Sequence, residues 1–211
     1  MPHAGRALAS SEGASALTAL RAATASLHGA TERHALLQAA LRPEAGAADL
    51  AWLYLAFRNF YALVEPQLVT ADLPASLTRT GYRYQPRLPL LEADLRDLAH
   101  PASLVPGPCE DIQAQTLINP LGLLYVVEGS SQGGRLIAPR LRASLGVDLA
   151  RGARYFHLFE TAQWPLLRDW LSREAAGVHN GTPDSGCWAF TLLHRVFDRA
   201  QAMKSAGDGS E

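Results

Sequence analysis

Apolar residues recur every three or four positions along most of the chain, and runs that alternate residue by residue do not occur. That pattern predicts amphipathic helices rather than half-buried strands. From Ser15 to about Leu41, one stripe carries Leu17, Leu20, Thr24, Leu27, His28, Thr31 and Ala35, which predicts a single long helix punctuated by Pro43 and Gly46. A second helix is predicted from about Ala48, through Tyr54, Phe57 and Val64, to a break near Pro66 to Pro74. Thr78 to Pro89 reads as a proline-bearing connection, Leu90 to Leu98 as a short helix, and His100 to Pro108 as a loop. A helix from about Cys109 is interrupted at Pro120, and Arg135 to Leu145 continues or restarts it. After a turn from Gly146 to Gly152, a helix is predicted from Tyr155 to Ala176, bent or restarted at Pro165. A loop from Val178 to Ser185 leads to a final helix from Gly186 to Met203. With no internal repeat, the prediction is an all-α, single-domain helical bundle over residues 15–203, between a disordered arm (1–14) and a disordered tail (204–211).

The stretch from Leu121 to Leu136, L-G-L-L-Y-V-V-E-G-S-S-Q-G-G-R-L, breaks the helical rule. Tyr125 and Glu128 keep helical spacing, and then Gly129, Gly133 and Gly134 follow without a turn dipeptide. Each glycine costs a helix interior roughly 1 kcal/mol relative to alanine, so three cost on the order of 3 kcal/mol and something must offset them. Gly129 and Gly133, four apart, share a face stripped of side chains. Two readings of that face stay open: close packing against another helix, or a flat ligand lying on the backbone. A phosphate-cradling loop is disfavoured, because no Lys-Ser/Thr pair follows and no strand pattern precedes.

Composition removes several function classes. The 211 residues suffice for one full hydrophobic core, and a formal charge of −1 gives no reason to expect nucleic acid or an anionic membrane as partner. Cys109 and Cys187 are too few for a disulfide framework and have no metal spacing. The N-terminus has no apolar leader segment, and no run reaches membrane-spanning length, so a cytoplasmic protein is expected. Lys204, in the polar tail, is the single lysine among 19 basic residues, which leaves no buried lysine for Schiff-base chemistry.

Of the seven histidines, His3 falls in the arm and His100 and His179 in loops, while His34, His157 and His194 fall in helices without a matching ligand set. His28 has different neighbours. It sits in the apolar stripe one turn after Thr24 and one turn before Glu32. A carboxylate at i+4 can reach an imidazole N–H, fix the tautomer and leave the second nitrogen for a metal. Arg21 lies two turns earlier, roughly 10 Å along the same face, in reach of an anionic edge of a ligand whose metal sits at His28.

Thr24, His28 and Glu32 on a first helix, followed about a hundred residues later by a glycine-interrupted helix in an all-helical chain, resemble the heme oxygenase family. The resemblance runs from about Leu20 to Ala202, and L-Y-V-V-E-G-S-S-Q-G-G is similar to the bacterial branch, which includes enzymes supplying biliverdin to bacteriophytochromes. It implies that His28 is the proximal iron ligand, with Thr24 and Glu32 beside it. It implies a distal wall of Tyr125, Gly129, Ser130, Gly133 and Gly134, with Gly129, Ser130 and Gly133 at the reacting face. Arg21 matches a basic position that pairs with a heme propionate. Ser130 stands where mammalian members have an aspartate; the later basic positions fall on Pro165 and Asp169, leaving Arg168 as the substitute. The implied activity is oxidative opening of heme, at once substrate and cofactor, to biliverdin with release of iron and carbon monoxide. Electrons would come from a ferredoxin or a reductase, and a bacteriophytochrome would receive the product. Two other readings share the fold: a heme- or biliverdin-binding protein without turnover, and a thiaminase-type hydrolase using Cys109 or Cys187 with Glu110, Asp111 or Asp184 nearby.

Overall fold

The helix at the centre is α3, Ala47–Val69, and its sequence explains why. Leu50, Ala51, Leu55, Ala56, Phe57 and Phe60 put buried apolar side chains around most of its circumference, so it has little face to give to water and is enclosed. It does not break at Pro66 but carries that proline in its last turn, where Thr70 Oγ1 donates to the Pro66 carbonyl at 2.9 Å. The computed structural model describes residues 14–98, 119–161, 163–176 and 180–208. The loop expected from His100 to Pro108, the helix start near Cys109 and nearly all of the arm lie outside the described residues.

Around α3 stand α1 (Ala16–Glu32), α2 (Ala35–Leu41), α4 (Ala75–Thr78), α5 (Leu88–Asp97), α6 (Pro120–Ser130), α7 (Gly134–Leu145), α8 (Trp164–Arg173) and α9 (Thr182–Asp208). No strand occurs among the described residues; an isolated bridge joins Ser15 to Ala175. The bundle expected from the sequence is therefore present, with altered boundaries. The long first helix is two, because His34 turns extended and its Nδ1 accepts the Leu36 N–H at 3.1 Å, capping α2. Residues 153–161 are not helical, apart from a 3-10 turn at Leu158–Glu160. The N–H groups of Arg154 and Tyr155 donate instead to the buried Asp94 carboxylate, each at 2.9 Å. Pro165 starts α8 rather than bending a longer helix. The last helix begins earlier than Gly186 and runs past Met203 to Asp208, with Lys204 paired to Asp49 of α3.

α9 is the element on which α1, α3 and α6 all pack. At its start it passes between α1 and α6, and the crossing is made of glycines. A Cβ on Gly122 of α6 would overlap the Thr182 carbonyl oxygen and lie 2.6 Å from Gly186 N. A Cβ on Gly186 of α9 would lie 3.0 Å from Leu20 Cδ2 and 3.2 Å from Thr24 Cγ2 of α1. The absence of side chains at these two positions thus sets how far apart α1 and α6 stand. Gly122→Ala is expected to lower stability by about 3 kcal/mol, the upper end of overpacking. Read by calorimetry, Tm should fall by roughly 6–12 °C for a chain of this size; an unchanged Tm would show that the crossing can open freely.

Candidate functional site

His28 lies near the end of α1 with 59% of its side chain exposed, and its ring meets Phe190 of α9 edge-on, centroids 5.8 Å apart. Glu32 Oε1 stands 3.7 Å from His28 Nδ1, close enough for ion pairing and a short movement away from a hydrogen bond. Nε2 of His28 has no partner among the described residues. The other described histidines are engaged. His34 caps α2 and meets Asp198 at 3.2 Å, and His194 Nε2 is 2.7 Å from Thr31 Oγ1, its pKa lowered by burial and by His34. His157, which lies outside a helix, has Nδ1 2.8 Å from Glu160.

Arg21 is exposed two turns earlier, without a partner among the described residues. Thr24 is buried, donates to the Leu20 carbonyl at 2.8 Å and packs on Gly186, so it serves the α1–α9 contact.

Across α9, the glycine stretch forms α6, a 3-10 turn at Ser131–Gly133, and α7. Pro120 starts α6 behind Asn119, whose side chain accepts the Leu121 N–H at 2.9 Å. The break coincides with two hydroxyls that bond back to the preceding turn. Ser130 Oγ donates to the Val127 carbonyl at 2.9 Å, and Ser131 Oγ to the Glu128 carbonyl at 2.6 Å. Such back-bonding bends helices.

The three glycines are not equivalent. A Cβ on Gly134 would overlap the Phe156 carbonyl and lie 2.9 Å from Phe159 Cδ1, so Gly134 packs closely on the 153–161 segment. A Cβ on Gly133 would meet only Ile137 of its own helix, at 3.7 Å. A Cβ on Gly129 would meet only the Trp164 ring, also at 3.7 Å. Among the described residues, no other helix presses on the face shared by Gly129 and Gly133. Tyr125 and Trp164 flank it, ring centroids 5.7 Å apart, and Leu136, 69% exposed, extends it. One turn beyond Trp164, Arg168 closes on Asp169 through Nε and Nη2 at 2.9 and 2.8 Å.

Behind α6 lies a set of charges that sequence reasoning missed. Arg87 and Glu128 are buried with Nη2 and Oε2 3.0 Å apart, and Tyr82 donates to Glu128 Oε1 at 2.9 Å. Burial, then Glu128, pushes the Tyr82 hydroxyl well above its ordinary value. Desolvation works against the Arg87 charge, but Glu128 and the hydroxyls of Tyr61 and Tyr84 outweigh it and hold its pKa above the usual value. Arg87 lies in a proline-bearing connection and Glu128 in an apolar helix, and spacing alone does not pair residues so far apart in sequence.

Over 88% of this chain and 99% of its own, a heme oxygenase structure from Leptospira interrogans superposes with a TM-score of 0.60 at 16% identity. The fold is that of the heme oxygenases. A heme oxygenase of Xanthomonas campestris pv. campestris (strain 8004) is 39% identical over 89 residues, which are 42% of this chain and 50% of that protein. The matched stretch thus spans half the length of that relative. No family model matches the sequence. The resemblance to heme oxygenases carried by Thr24, His28, Glu32 and the glycine helix accordingly extends to the whole architecture. No described helix is long and apolar enough to cross a membrane.

On the heme oxygenase fold the glycines divide by what they face, and this is measurable in the unliganded protein. Gly133 has helical φ −57° and ψ −31° and nothing to clash with, so Gly133→Ala should keep or raise Tm, by up to about 1 kcal/mol in helix propensity. Gly134→Ala should destabilise by about 1–3 kcal/mol through overlap with the Phe156 backbone. Equal Tm changes for the two variants would contradict this division.

Proposed function

We propose that this chain is a heme oxygenase that opens heme to biliverdin, using His28 as the axial ligand and the Gly129–Gly133 face as the distal surface. The observation that carries the reading is the division of the glycines: among the described residues, two have only ordinary contacts where a side chain would stand. A planar, largely apolar ligand fits a backbone face of that kind. Heme held there supplies the iron that activates oxygen and is itself the macrocycle that is cleaved, releasing iron and carbon monoxide.

The residues present suit that group. His28 offers an unpartnered Nε2, and Glu32 is within reach of Nδ1 to hold the ring and keep that proton in place. Arg21, exposed and unpaired among the described residues, has the charge and the position along α1 to hold a propionate. Arg168 can take the same role only by leaving Asp169. On the distal side Tyr125 and Trp164 exclude water from one flank. Ser130, whose proton is directed to the Val127 carbonyl, keeps lone pairs that accept from water. Hydrogen bonds to the reacting group then come from backbone and ordered water rather than from a carboxylate. Electrons would be delivered by a ferredoxin-type or reductase donor, and the biliverdin taken up by a bacteriophytochrome.

A thiol hydrolase is disfavoured at Cys187. Its Sγ–H points to the Ala23 carbonyl at 3.4 Å, and burial together with Asp184 pushes the thiol pKa up, opposite to what a nucleophile needs. Cys109 lies outside the described residues.

Adding hemin to the purified protein should give a histidine-ligated Soret band, and ascorbate or a reductase should convert it to a biliverdin spectrum. A stable band without conversion would make the chain a heme-binding protein only. His28→Ala should remove the histidine-ligated band while leaving far-ultraviolet circular dichroism unchanged, since the side chain is more than half exposed. An unaltered band in that variant would sink the ligand assignment. Glu32→Gln should keep heme and lower the iron–histidine stretching frequency, because a weaker acceptor at Nδ1 makes the imidazole a poorer donor.

A further inference from the structure

The buried pair behind α6 stands in an unusual place. Glu128 immediately precedes Gly129, and successive helical residues are about 100° apart, so its carboxylate lies on the flank of α6 away from the bare face. It is held at two points. Its side chain meets Arg87 Nη2 at 3.0 Å and Tyr82 Oη at 2.9 Å, and its own carbonyl accepts the Ser131 hydroxyl where α6 breaks into the 3-10 turn. Arg87 is anchored in turn. Its backbone N–H donates to Glu65 Oε1 at 2.6 Å, its guanidinium lies 4.6 Å above the Tyr84 ring, and its Nε is buried without a partner among the described residues. Both side chains are essentially inaccessible, at 1% and 0% exposure.

A buried ion pair is a poor stabiliser compared with apolar residues of the same volume, because removing two charges from water offsets most of their attraction. Its presence here calls for another consequence. The charges, both buried, sit within about one helix diameter, roughly 10 Å, of the Gly129–Gly133 face. Over that distance an uncompensated charge would be felt strongly at the face, whereas a compensated pair is nearly silent. Resting on the heme oxygenase reading above, we propose that Arg87 and Glu128 are positioning residues that hold the bend of the distal helix and cancel each other's field at its ligand face. The reaction then meets neutral donors on that side, which is the condition Ser130 in place of an aspartate also creates.

The test reads the field directly. In the ferrous protein loaded with heme and carbon monoxide, the C–O stretching frequency falls when positive charge faces the oxygen end and rises when negative charge does. Glu128→Gln removes one negative charge beside Arg87, next to which Glu65 also lies, and should lower the frequency. Arg87→Met leaves the carboxylate uncompensated and should raise it. The double variant, with neither charge, should return close to the wild-type value. A merely structural pair would move both single variants in the same direction or not at all, while lowering the melting temperature of the heme-free protein, and that result overturns the proposal. Should either single variant fail to fold, Tyr82→Phe decides: it removes one donor from Glu128, leaves the pair in place and should raise the frequency slightly. An unchanged band in Tyr82→Phe overturns the proposal as well. Failure of the wild-type protein to bind hemin would overturn the heme oxygenase reading itself, and is seen before any variant is made.

Discussion

Backbone-to-backbone contact between Gly122 of α6 and the first turn of α9 is the constraint on which the rest of the arrangement depends. Only side-chain-free positions let two helices approach so closely, and here the approach is reinforced from the far side, where Gly186 admits Leu20 and Thr24 of α1. Three helices are thereby locked at one end of the bundle. α1 brings His28 along its exposed edge against Phe190, and α6 brings Gly129, without α1 and α6 packing extensively on each other. The spacing between the helix that carries His28 and the helix that carries Gly129 is thus set by a third helix packed on both. Side chains at the site do not have to hold it open.

Irregular chain in this fold is secured by buried acids rather than by regular hydrogen bonding. Glu65 of α3 accepts the N–H groups of Arg87 and Leu88 and the hydroxyl of Tyr84. Asp94 of α5 accepts those of Arg154 and Tyr155, and burial raises its pKa in spite of those bonds and the Arg154 guanidinium. Buried backbone groups must be paired somewhere, and a carboxylate on a neighbouring helix does for a loop what a ladder does for a strand. This is why residues 153–161 follow an irregular path although their apolar spacing is helical. The same segment supplies the Phe156 carbonyl that leaves no room for a side chain at position 134 unless the backbone shifts.

The architecture was legible because most of it rests on local periodicity: Leu17, Leu20 and Thr24 fall on the buried stripe of α1 as their spacing requires. His28 with Glu32 was legible for the same reason, since a pair four residues apart on one helix meets whatever the rest of the chain does. What could not be read depends on contacts between distant segments. The break at His34 has no glycine or proline to announce it, only an imidazole that happens to cap. Gly122 and Gly186 are single glycines in helical patterns, a sign of close approach in retrospect, yet nothing in either segment says which partner approaches. Gly133 and Gly134 are adjacent and chemically identical, and their opposite environments arise from Phe156, whose irregular backbone depends on Asp94. Arg87 and Glu128 are joined only by the folded structure.

The distribution of charge follows from these placements. Along α1 the ionisable groups near His28 are exposed: Arg21 lies in solvent and Glu32 is 66% exposed, so they are available to a ligand while remaining hydrated. On the glycine side no charged side chain occupies positions 129–134; Glu128, which precedes them, is turned inward upon Arg87, and Arg135, which follows them, donates back to Gln132 and lies over the Phe159 ring. On the reading proposed above the site is asymmetric: exposed ionisable groups lie along α1, and positions 129–134 carry no charged side chain. A planar ligand with a charged edge would be oriented by that asymmetry, because charged partners stand on one of its sides and neutral ones on the other.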